Sequence, residues 1–332
     1  MSSTEIGSFG VEVERAETEA RLGPSRPQPE PKWSNLHAPD ARLACADAVV
    51  VRPGARELRL FVANPNALAG LLILAAVIVA ALVAPVLFPG DPLAMTGQPL
   101  QWPGQSAGYP LGTDQLGRNV LAGIFHGARV SLVVGLVATA LGLAIGVLVG
   151  AIAGYFGGWI DTLLVRVIEI FQTLPSFVLL VVLVFIAQPS APTITLGIAI
   201  ISWPQVARLT RAEFRAIREK DYVMAARSLG FGSARIIFGE ILPNALPPLI
   251  VTSSVMVATA ILMESALSFM GLGDPNVVSW GSMIGAGREV IRSAWYLTAL
   301  PGLAIVLTVL SLNLIGDGLN DALNPRFAED RR

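Results

Sequence analysis

Long stretches of this chain carry no charged side chain, and their lengths set its architecture. No Asp, Glu, Lys or Arg occurs from Leu60 to Gly90, Val130 to Ile160, Ile170 to Ala207, Ile241 to Met263, or Ser293 to Gly316. A bilayer core takes roughly 20 apolar helical residues, so each run is long enough to span. The third is too long for one helix, and Gln188-Pro189-Ser190-Ala191-Pro192 divides it, because proline removes a backbone donor. The pattern predicts six helices, near 66–88, 130–154, 160–187, 194–215, 246–270 and 297–318, the fourth leaving the membrane near Arg208. The fold class is an all-α polytopic membrane protein.

Composition agrees. Of 332 residues, 53% are hydrophobic and 14% charged, against about a quarter charged in soluble domains. A net charge of −1 offers nucleic acid no basic surface. One cysteine, Cys45, excludes an internal disulfide, and two histidines, His37 and His126, argue against a His-rich metal site. Arginine and lysine placement gives an orientation: with the N-terminus inside, Arg42–Arg59, the 208–240 loop and Arg326–Arg332 supply 14 on the inner side, against Arg118, Arg288 and Arg292 in the outer loops. Both termini are therefore expected in the cytoplasm.

Domain organisation follows from the same map. Residues 1–60 read as a disordered tail and juxtamembrane segment. The first 40 hold seven acidic and four basic residues with five prolines, too little apolar surface to offset chain entropy. Their acidic start is not a secretory signal, and the first span reads as an uncleaved anchor. Residues 61–128 form the first span and an outer loop. Residues 129–320 form a five-helix core with an inner loop at 208–245, and 321–332 a cytoplasmic end.

Three groups of residues invite a role. Gly142, Gly146, Gly150 and Gly154 recur every fourth position, a seam for close helix packing. Arg166 and Glu169 share a helix face, as a local ion pair or an intramembrane polar site; Glu264, with Ser265 and Ser268, is an interfacial carboxylate or faces a polar pathway. The inner loop is the most informative. Tyr222, Ala225, Ala226 and Leu229 fall on one side of a short helix that Gly230 stops, and Ser233 is placed to cap a second helix ending at Pro243. Such an apolar stripe projecting into the cytoplasm calls for a partner's groove. The chain has no engine of its own: neither Lys32 nor Lys220 follows a glycine, so no phosphate-cradling P-loop exists.

Here the sequence resembles the inner-membrane permeases of binding-protein-dependent ABC importers. Their loop motif is Glu-Ala-Ala, three residues, Gly, nine residues, Ile-x-Leu-Pro; this chain reads Met224-Ala225-Ala226, Gly230, then Glu240-Ile241-Leu242-Pro243 in the same register. Met224 stands where the motif has glutamate, and Glu240 where it has its first isoleucine. Tyr109–Arg118, Gly154–Trp159, Ala266–Gly273 and Asn313–Arg326 are similar to segments of the C-type subunit of dipeptide/oligopeptide permeases, so the likeness covers about residues 60–328.

That resemblance implies a type I importer permease, not itself an enzyme. It implies a B-type permease partner, one or two ATPase subunits holding ATP and magnesium, and an extracytoplasmic solute-binding protein. The helix Tyr222–Leu229 would couple to the ATPase, with Met224, Leu242 and Pro243 in the coupling loop. The implied cargo is di- or oligopeptides, or in the same class a nickel chelate, glutathione or haem. An ion-coupled secondary transporter is the competing reading; it requires inverted repeats, and no repeat pairs Pro175 with Pro204. A scaffold role leaves the long inner loop unexplained.

Overall fold

The computed structural model describes residues 55–323. The expectations for the acidic tail and for Asn324-Pro325-Arg326 lie outside them. A short helix α1 (Ala55–Ala63) leads into α2 (Pro65–Leu87), which Asn64 caps by accepting from the Asn66 and Ala67 amides. After a long loop come α3 (Val120–Phe156), α4 (Gly158–Thr173), α5 (Ser176–Ala187), α6 (Ala191–Arg218) and α7 (Asp221–Ser228). The later α-helices are α8 (Ser233–Phe269), the short α9 (Trp280–Gly287) and α10 (Tyr296–Leu323). Among the described residues β pairing is confined to two isolated bridges in the α2–α3 loop.

Four helices, α2, α3, α8 and α10, are long and apolar enough to cross a membrane. The third expected span, 160–187, is not one helix. It breaks between α4 and α5, which meet at 82°. Pro175 causes the break: it disfavours helical backbone at Leu174, which is extended (ψ 137°), and has no N–H to give. The second span starts ten residues earlier than expected, at Val120, because Asn119 caps it there. The helix expected to end at Pro243 instead runs on to Phe269. A π turn at Ile236–Ile241 widens the helix just before Pro243, where a regular α-helix would set the proline ring against the Gly239 carbonyl. Ser233 makes no cap bond; the position before the helix is Gly232.

The glycine seam organises the bundle. Gly142, Gly146, Gly150 and Gly154 of α3 lie against Ser202, Val206, Ala207 and Phe214 of α6. A Cβ on Gly146 would sit 2.5 Å from the Val206 Cβ and 2.8 Å from the Trp203 carbonyl oxygen, so only glycine permits this approach. At the end of the seam Arg211 grips Asp161 of α4 through both carboxylate oxygens, with Nη2–Oδ2 at 2.7 Å, and Arg218 donates to the Tyr155 carbonyl at 2.7 Å. A second small-residue crossing joins α2 to α10, where Gly70 faces Ser311 and Gly318 faces Ala67. Ile261, Trp280 and Ile305 fill the space between α2, α3, α8, α9 and α10.

Candidate functional site

The α7 segment is built to be held on one side and offered on the other. Val223 and Ala226 are buried against Phe214 and Ile217 of α6, Ile236 and Ile241 of α8 and Tyr155 of α3. Tyr222, Met224, Ala225 and Leu229 face out, Leu229 being 74% exposed. This corrects the expected stripe: Ala226 belongs to the seat, not to the presented face, because Val223 and Ala226 are three apart and share the inner side. Leu242 is half-buried and Pro243 exposed, at the foot of α8. Arg227 lies over the Tyr155 ring at 5.4 Å and Arg235 over Phe231 at 4.0 Å. Burial and the nearby Glu240 charge push the Tyr222 phenol above its ordinary value, so it stays a neutral hydroxyl.

Gly230 ends this helix with φ +80°. The Phe231 amide donates to the Ala226 carbonyl (3.1 Å) and the Gly230 amide to that of Arg227 (2.9 Å), the paired bonds of a Schellman stop. Gly230 thus ends the helix in the left-handed region, where a residue without a Cβ is unstrained. Phe231 then packs back onto the same apolar seat.

The two intramembrane candidates separate. Arg166 and Glu169 pair at 2.8 Å with side chains 74% and 51% exposed, so none of the described residues covers them. Glu264 is buried, 2% exposed. It accepts from Ser268 (2.7 Å), Ser131 of α3 (3.2 Å) and Ser265 (3.4 Å), a carboxylate stitched into the α3–α8 contact. Burial this deep needs such donors. Among the described residues no three His, Cys, Asp or Glu side chains gather as a metal site.

The opposite end of the bundle is tied by residues the sequence reading did not single out for this. Tyr296 places its hydroxyl 2.8 Å from the Gln101 carbonyl and 2.9 Å from that of Thr113, and Asp114 accepts the Leu116 and Arg118 amides. The Tyr109–Arg118 motif is thus a loop knot. Asp274 accepts from Ala191 N–H (3.0 Å) at the start of α6, joining the α8–α9 loop to that helix. Burial would raise its pKa, yet the Ala191 and Asn276 hydrogen bonds outweigh that and hold the carboxyl below its ordinary value. Beside it a groove of about 810 Å³ opens between α3 and α6, rimmed by Asp91, His126 and Arg129. The signal for Arg129 was its place immediately before a charge-free run.

A bundle with four bilayer-length apolar helices, closed by small-residue crossings and presenting a short helix at its charged end, is a multi-pass membrane protein. The chain belongs to the family of binding-protein-dependent transport system inner membrane components, whose model matches residues 146–329. A second model, the N-terminal transmembrane domain of oligopeptide transport permease C, matches residues 53–103. The chain is 41% identical to the di/tripeptide transport system permease protein DppC of Pseudomonas aeruginosa, over 80% of this chain and 90% of that one. It is 43% identical to the dipeptide transport system permease protein DppC of Escherichia coli, over 81% and 92%. In fold it is similar to a chain of the MetNI methionine ABC transporter in an inward-facing conformation, with TM-score 0.50 and 18% identity, over 61% of this chain and 96% of that one. Membership makes it a permease component of an ABC importer, working with an ATPase and a binding protein.

Proposed function

We propose that this chain is the C-type transmembrane subunit of an ATP-driven importer of di- and oligopeptides. One observation carries the reading: relatives named as di- or tripeptide permeases are 38–43% identical to it along about four fifths of the chain. A homologous B-type permease completes the pathway, and one or two ATPase subunits bind ATP and magnesium. This chain supplies neither a P-loop nor a lysine following glycine. Six spans put both termini and α7 in the cytoplasm, with the bent α4–α5 pair and the apolar half of α6 each crossing once. ATP-driven closure of the ATPases moves α7 through its outward face (Tyr222, Met224, Ala225, Leu229), and the rigid seat passes that motion to α6 and α8. Outward- and inward-open states then exchange, with substrate bound differently in each. Arg166 and Glu169, uncovered here, face a partner or the aqueous rim of the pathway.

The test is uptake. The chain is reconstituted in liposomes with its partner permease, ATPases and binding protein, and a labelled dipeptide is supplied outside with ATP inside. Uptake that requires ATP and the binding protein is expected. Uptake by this chain alone on an ion gradient, or transport of a nickel chelate but no peptide, overturns the proposal.

A further inference from the structure

We infer that the groove between α3 and α6 is a peptide subsite, in which Arg129 holds the peptide carboxylate while Asp91 and His126 receive its ammonium. The inference rests on the peptide-import reading above and adds to it the place in this chain where the two ends of the substrate are recognised.

The groove has the size of a small-molecule site, about 810 Å³. Its wall is apolar, with Val133, Val137 and Leu196 exposed into it, which suits side chains of varied shape. All the charge sits at one rim. Arg129 makes no ion pair or side-chain hydrogen bond with the described residues and is exposed, so its guanidinium fork is free for a carboxylate. His126 lies one turn before it on the same face of α3. Its Nε2 is 3.2 Å from the Phe88 carbonyl oxygen. A carbonyl only accepts, so Nε2 carries the proton, and in the neutral ring Nδ1 is left as an acceptor. Asp91 uses Oδ1 to take the Leu93 amide at 2.9 Å and keeps its other oxygen.

The rim therefore presents one cationic fork and two acceptors. A simple anion would meet Asp91, and a simple cation would meet Arg129. A zwitterion satisfies both. Side chains three apart on a helix are about 5–6 Å apart at Cβ, and an extended chain spans at most about 3.3–3.6 Å per residue. A peptide of two or three residues thus bridges His126 and Arg129 with the reach of the arginine stem, and a longer one must continue down the valine wall.

The experiment uses the whole transporter in phosphatidylcholine nanodiscs, with Cys45→Ser and Leu196→Cys placing one thiol in the groove. The probe is the dipeptide Gly-Cys, its thiol carried as a mixed disulfide with thionitrobenzoate. Exchange joins peptide sulfur to the introduced sulfur and releases thionitrobenzoate, which is counted by absorbance and the adduct by mass. We expect C-terminal amidation of the probe to slow capture by about tenfold or more, a comparison that needs no variant at Arg129. Arg129→Gln slows the free-acid probe to the amide's rate, and Arg129→Lys restores part of it. Equal capture of acid and amide, or capture indifferent to Arg129→Gln, overturns the subsite. So does protection of the thiol by phosphatidylethanolamine in the disc with no protection by unlabelled dipeptide, which assigns the groove to a lipid headgroup. Labelled dipeptide uptake by the same proteins reconstituted in liposomes separates the two levels: uptake without carboxylate-dependent capture sinks the subsite alone, and no peptide uptake sinks the import reading.

Discussion

Replacing Gly230 tests whether α7 transmits force as a seated helix. Its φ of +80° is a conformation that a Cβ opposes by roughly 1–2 kcal/mol. A Cβ there meets nothing within 4 Å, so the whole effect is backbone strain with no clash to confuse it. What opposes the strain is small. The seat rests on fully buried Val223, worth about 1.5–3 kcal/mol, and on Ala226, with fewer atoms to bury. Strain of this size offsets much of that hold and lowers the seated fraction relative to the released one by roughly 5- to 30-fold. In the reconstituted importer, Gly230→Leu should loosen amide exchange protection over Tyr222–Gly230 by that factor. Binding-protein-stimulated ATP hydrolysis and uptake should fall together, while membrane insertion is unchanged. Gly230→Asn is the control, since asparagine tolerates the left-handed region, and it should keep most activity. Full uptake with wild-type protection in Gly230→Leu, or equal loss in Gly230→Asn, would refute the reasoning.

Three further outcomes are expected. Gly146→Ala should lower the thermal midpoint in detergent, by the equivalent of about 1–3 kcal/mol, because its Cβ overlaps Val206 and Trp203; Gly302→Ala in α10, where a Cβ meets nothing within 4 Å, should be neutral or stabilising. Glu264→Ala strips three serine hydroxyls of their shared acceptor and should destabilise by about 1–3 kcal/mol, with Glu264→Gln milder; an Ala variant as stable as wild type would instead leave the carboxylate free for a transport role. The carboxyl of Asp274 is depressed in the folded chain, so its stabilising contribution is complete above its unfolded pKa, near 3.9, and is lost as pH falls through the lower folded value. Thermal midpoints of wild type and Asp274→Ala should therefore converge at acid pH, and a constant gap would show that the ionised form is not what stabilises.

How much could be read from the chain alone depends on how local each feature is. Charge-free runs report their environment residue by residue, so the apolar spans at α2, α3, α8 and α10 were legible. Spacing along one helix is also local, which is why the four seam glycines and the stop at Gly230 were found before any partner helix was known. Pro175 was visible in the sequence, but an 82° bend depends on what α5 packs against, and its core is shared with α3 and α8, which lie far along the chain. The side of α7 that is buried was misassigned at Ala226 for the same reason: Phe214, Ile236 and Ile241 make that seat, and no helical period of eight residues names them. Glu264 read as either an interfacial or a pathway-facing carboxylate because a sequence shows the charge and not its donors. Ser131 comes from α3, 133 residues away, and only the α3–α8 packing brings it within 3.2 Å. Periodicity and charge thus determined that the chain spans a membrane and which stretches form its apolar helices. Tertiary packing decided which polar groups are buried with partners and which, like Arg129, are left facing a groove, because burial and pairing are properties of neighbours and not of residues.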